Sequence, residues 1–216
     1  MNKVFCIYPT DQTTEFLLPV FNTISKFQGV ISLAGDSRED LFYERFKEIL
    51  LDESLDTFIF LGHGNSKYLY GSGFNILIPH DELFQINHKK FILFSCNSSD
   101  LLENIQSKCH IGFGFIPSEL EDLSSMQSFH KMDLSSLKKE DIDYLRKKYV
   151  SAWLRALDGL PFFDIEALGK RLYLFLNRAI VDTLMDKSIK NRRLISDILF
   201  YIKSDLQVKV PSIKYF

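Results

Sequence analysis

The sequence predicts an α/β fold. A mostly parallel sheet is covered by helices on both faces and continued by a mainly helical C-terminal part. Three observations carry this. First, "LDTFIFLG" (55–62) and "KKFILFSC" (89–96) are near-continuous apolar runs, the pattern of strands covered on both faces. Second, runs of this kind alternate with helical spacing through the first half of the chain, which implies a parallel sheet. Third, from about Lys138 onward the patterns are helical, over 139–157, 164–186 and 190–205.

The elements follow in order. "KVFCIY" (3–8) is β-branched and aromatic and is ended by Pro9, so it reads as the first strand. Residues 14–26 have apolar residues near helical spacing, interrupted by Pro19. "GVISLA" (29–34) is a second strand. The next helix has an N-cap candidate at Asp36 or Ser37, and Leu41, Phe42, Phe46, Ile49 and Leu50 fall on one face. After the run at 55–62, Tyr68–Tyr70, Gly71-Ser72-Gly73 and Phe74–Ile78 read as a hairpin. Residues 98–108 form a short helix with a Ser N-cap candidate. "HIGFGFIP" (110–117) is another strand. Residues 117–137 are polar and irregular, a long loop or a linker with a short helix, of the kind that orders on activation. The final "LQVKVPSIKYF" begins like a strand. The predicted division is a core over 1–130 and a mainly helical part over 131–216, packed on the same domain.

Composition narrows the function classes. A chain of 216 residues with 46% apolar content buries a sizeable core without staples. Its net charge of −2 argues against a general nucleic-acid or membrane-surface binder. No run of 18 apolar residues occurs, so no transmembrane helix is expected. Three cysteines without framework spacing point to free thiols and a cytoplasmic location. There is no C-x₂-C or H-x₃-H spacing, so neither a metal nor another cofactor is expected.

The chemistry-bearing residues stand at two strand ends. "FIFLGHGNS" (58–66) stops on His63 between two glycines, and "FILFSCNSS" (91–99) stops on Cys96 before a helix start. Ligands collect at the carboxyl edge of a parallel sheet. If the two strands are neighbours, imidazole and thiol meet there as base and nucleophile. A helix N-terminus after Cys96 would lower the thiol pKa. Backbone N–H groups of Gly64 and Cys96 would form an oxyanion hole. By contrast, Cys109 and His110 are consecutive on one strand, so they point to opposite faces and make no dyad.

"FLGHGN" resembles the histidine motif of clan CD cysteine peptidases and "LFSCNS" their cysteine motif. "CHIGFGFIPSE" is similar to the strand that follows the cysteine in CHAT-domain members. The resemblance covers about residues 1–130. It implies a caspase-like three-layer α/β/α sandwich, with His63 as base and Cys96 as nucleophile. Gly64 and Cys96 take the oxyanion role. Ser95 stands where Ala is usual, and the caspase Gln and Arg-Gly or Gln-Gly around the cysteine are absent. The likeness is therefore to bacterial CHAT-domain proteases, and cleavage after Asp is not implied. A small stand-alone protein of this kind resembles the effector proteases of bacterial antiphage defence, which implies a sensor partner that switches it on.

Further residues are candidates by position. Asn65 and Asp81 are candidates to orient His63. Asp100 and Glu119, with Glu121 and Asp122, would make an acidic rim for a basic substrate residue. The expected function is a cysteine endopeptidase acting on a protein substrate. The alternatives are a catalytically silent caspase-like module that docks a partner, and a doubly wound domain for a small ligand.

Overall fold

A computed structural model describes residues 3–160 and 164–211. Six strands make the main sheet, in the order β2-β1-β3-β7-β8-β9. They are β1 (Lys3–Pro9), β2 (Val30–Gly35), β3 (Leu55–Leu61), β7 (Lys90–Phe94), β8 (His110–Gly112) and β9 (Gln207–Lys209). All neighbours run parallel except β9, which is antiparallel to β8. A small antiparallel sheet of β4 (His63–Gly64), β5 (Tyr68–Tyr70) and β6 (Ile76–Pro79) follows β3. The fold is thus a mixed α/β sandwich around a mostly parallel sheet.

Strand alternation sends each strand's apolar residues to both faces. Phe5 and Ile7 of β1, Phe58 and Phe60 of β3, and Phe91 and Leu93 of β7 share one core. Helices α2 (Asp40–Leu50), α3 (His80–Gln85) and α4 (Ser98–Asn104) cover it through Phe42, Phe46, Leu83 and Leu101. Cys6 and Tyr8, Ile59 and Leu61, and Ile92 and Phe94 face the other core. That side is covered by α1 (Leu18–Ile24), α5 (Leu123–His130), α6 (Lys139–Leu157), α7 (Ile165–Met185) and α8 (Arg192–Ser204). Trp153 of α6 is fully buried, with its ring centroid 4.8 Å from Phe94 and 5.8 Å from Phe113. Each such aromatic contact adds about 0.5–1.5 kcal/mol beyond area burial. The C-terminal helices are therefore a layer over the same sheet, and β9 extends that sheet beyond β8.

Several local expectations change. Pro19 does not break a helix. It lies in the first turn of α1, where its missing N–H costs nothing, after a 3₁₀ turn over Gln12–Leu17. Helix α2 starts later than Asp36 or Ser37, because Asp36 bonds Arg38 and Ser37 bonds Ser72. Leu41 is 76% exposed, off the buried face. The N-cap position of α4 is Asn97 rather than Ser98, and its side chain makes no capping bond. The short helix expected within the polar stretch 117–137 is α5. Among the described residues no helix is long and apolar enough to cross a membrane.

Candidate active site

β3 and β7 are adjacent and parallel, with Leu61 paired to Phe94. His63 and Cys96 each lie two residues beyond that pair. Both line a small cavity of about 20 Å³ with Thr14, Phe16, Leu17, Gly62, Phe94, Ser95, Ile116 and Ser118. The two sequence-predicted residues are thus brought together.

The turn that carries Cys96 is tightly held. Asn97 adopts a left-handed backbone (φ 51°), which Asn tolerates, and its N–H donates to Gly114 O at 2.8 Å. Ser98 Oγ lies 2.9 Å from Leu93 O and 2.8 Å from Ser95 O, and accepts from Phe113 N at 2.9 Å. The segment after β8 is therefore laced to the turn. It also covers the thiol: Cys96 Sγ donates to Ile116 O at 3.2 Å and accepts from Ile116 N at 3.4 Å. Burial pushes the Cys96 thiol up to about 11, against a partial lowering by the Ile116 N–H. The expected lowered thiol pKa is not found, because the thiol is desolvated.

His63 is held from the far side by a chain of two residues. Asp11 follows β1, the other neighbour of β3. Its Oδ1 accepts from Thr13 Oγ1 at 2.6 Å, and Thr13 Oγ1 lies 2.5 Å from His63 Nε2. Asp11 Oδ1 itself is 3.6 Å from Nε2. Burial raises Asp11, but bonds from the Thr13 hydroxyl, Thr13 N–H and Gly73 N–H leave its carboxyl below the ordinary value. It is therefore ionised and can only accept. The single Thr13 proton points at it, so Thr13 accepts from His63 Nε2–H. The ring's lone pair is then on Nδ1. Burial lowers the His63 pKa, opposed by Asp11, Asp122 and Glu119. Burial thus favours the neutral form of both groups.

Gly64 is required for space. A Cβ there would meet Ser95 Oγ at 2.7 Å and Leu69 at 3.2 Å. Its φ is not left-handed, so close approach rather than a sharp turn explains it. The Asn65 N–H donates to Tyr68 O, and Gly64 pairs with Leu69 next to it. Antiparallel alternation then turns the Gly64 N–H away from β5. This orientation suits an oxyanion donor.

The expected orienting residues are not brought to His63. Asn65 Oδ1 accepts from the N–H groups of Lys67 and Tyr68, and its amide donates to Tyr70 OH at 2.6 Å; the turn uses it fully. Asp81 is exposed in the first turn of α3 and pairs with His80 at 2.8 Å. Asp11 and Thr13 hold the ring instead. "PTDQT" directly after a predicted strand was the available signal, an Asp-x-Thr at the carboxyl edge. Asp100 is exposed on α4 and does not line the cavity at Cys96. Glu119 is exposed and lines a neighbouring cavity of about 530 Å³, with Thr13, Glu15, Glu121, Asp143, Lys139 and Arg146. Arg146 is paired with Asp143 at 3.5 Å.

Comparison with protein-family models, with curated proteins and with solved structures finds no match to the chain.

Proposed function

We propose that the chain is a caspase-like cysteine endopeptidase of the CHAT-domain type, acting in the bacterial cytoplasm as a regulated effector of antiphage defence. The observation that carries the chemical part is the shared cavity of His63 and Cys96 at adjacent strand ends. The family part rests on the "FLGHGN" and "LFSCNS" motifs.

His63 Nδ1 takes the Sγ proton as sulfur attacks the peptide carbonyl carbon. The oxyanion faces the N–H groups of Gly64 and Cys96. The imidazolium, balanced by Asp11 through Thr13, returns the proton to the leaving amine. The C–N bond breaks and a thioester remains. Water, deprotonated by His63, then releases the acid and restores the thiol. With the thiol near 11, the proton moves during attack and no resting ion pair is needed.

The covering of Cys96 by Ile116 fits an effector held closed until a sensor protein binds. It also favours a second reading, a catalytically silent module that docks a partner through this fold. A peptidyl acyloxymethyl ketone separates the two readings. It is applied to purified protein and to extracts of the cells that make it, where an activating partner is present. The peptidase reading expects Cys96 labelled well ahead of Cys6 and Cys109. Labelling of Cys96 no faster than Cys109 in both preparations leaves the docking module.

A further inference from the structure

Phe74 is bulky, yet its backbone is left-handed (φ 59°), directly after Gly73 at φ 64°. That conformation is unfavourable for a large side chain and persists only when its surroundings over-determine it. Here they do. Gly73 N–H donates to Asp11 Oδ2 at 3.1 Å. Ser72 N–H donates to Ser37 Oγ at 2.7 Å, and Ser37 N–H donates to Ser72 Oγ at 3.0 Å. Gly71 N–H donates to Asn75 O at 2.8 Å. The pinned loop lays the Phe74 ring on the His63 imidazole, with centroids 4.3 Å apart and planes 27° apart. Phe74 is nevertheless 58% exposed. One face of the ring holds the imidazole and much of the rest meets solvent.

An apolar surface beside the imidazole has a definite place in acyl transfer. The leaving amine receives its proton from the imidazolium, so the residue carrying that amine must lie next to His63. We propose that Phe74 determines specificity for the first residue of the leaving fragment, receiving an apolar or aromatic side chain on its exposed ring. The inference rests on the peptidase reading of the same site. Apolar contact on an exposed ring gains from area burial and from ring-on-ring packing.

The test is a peptide library varied only at the first residue after the scissile bond. It is cut by the wild-type protein and by Phe74→Gly, a substitution that suits the left-handed backbone and removes only the ring. The expected wild-type profile favours Leu, Met and Phe over Gly and Asp by about tenfold in kcat/KM, and Phe74→Gly brings the Leu-to-Gly ratio close to one. An unchanged ratio in Phe74→Gly overturns the assignment. So does an equal loss for every peptide, which would make Phe74 a positioning residue acting through His63. If no peptide is cut and Cys96 takes no acyloxymethyl ketone, in purified protein and in extracts of the cells that make it alike, the peptidase reading itself falls, and this assignment with it.

Discussion

The molecule holds two imidazoles beside cysteines, at opposite ends of one sheet. At the carboxyl edge, His63 and Cys96 come from different strands and face one cavity. Near the start of β8, Cys109 and His110 are consecutive, and His110 is fully buried with neither ring nitrogen hydrogen-bonded. Burial lowers both imidazoles. At His110 it is joined by the Lys209 charge and carries the ring down to about 4, with Glu103 only partly opposing from 3.9 Å. At His63 the loop after β1 supplies Asp11 and Thr13. The residue types are alike. What separates the two sites is the polar partner: Asp11 and Thr13 reach the His63 ring, whereas among the described residues no side chain comes within hydrogen-bond distance of the His110 ring.

The largest expected effect is at the thiols. Cys96→Ala abolishes ketone labelling and peptide hydrolysis, whereas Cys109→Ala keeps both. Mass mapping after labelling reads the outcome, and equal sensitivity of the two thiols would erase the distinction.

The next effect separates the imidazoles. His63→Ala lowers the hydrolysis rate by about 10²- to 10⁴-fold, the usual worth of a positioned acid–base group. His110→Leu acts on stability instead. The folded His110 pKa lies below the ordinary 6.5, so the unfolded chain binds the proton more readily. Its contribution is fully present above pH 6.5 and is lost as pH falls toward 4, about 3 kcal/mol in all. Urea unfolding across that range should show the acid loss reduced in His110→Leu. An unaltered pH slope would mean that His110 is not held neutral.

The smallest effect tests the link to Asp11. Asp11→Asn lowers kcat by about ten- to a hundredfold, the worth of one charge-assisted hydrogen bond. Thr13→Val does the same, and the double variant loses little more, because the two residues act as one relay. Additive losses in pH-resolved kinetics would show separate roles. Glu103→Gln, beside His110, leaves hydrolysis unaltered.

Local signals carried much of this into the sequence. The helix expected at 139–157 is found at Lys139–Leu157, and the two apolar runs are β3 and β7. His63 and Cys96 were legible because each ends its own run. Asp11 was marked only as an Asp-x-Thr after a strand, and its link to His63 depends on β1 lying beside β3, a pairing that no local pattern encodes. Asn65 and Asp81 were attractive for nearness in sequence, but a turn and a helix start use them. The cover on Cys96 was hidden for the same reason: Ile116 lies twenty positions away and reaches the thiol through the lacing of residues 113 and 114 to the turn at 97–99.

The antiparallel pairing of β9 with β8 sets an order on biosynthesis. Val208 pairs with Ile111 and packs where a side chain on Gly169 could not fit, and Tyr173 OH donates to Leu206 O. A ribosome-bound chain that has not yet released residues 207–209 therefore carries β8 as an open edge, close to the segment that seals Cys96. Exposed edges recruit other strands. β9 lies beyond α6, α7 and α8 in the chain, so β8 is left as an open edge until all three helices have been made.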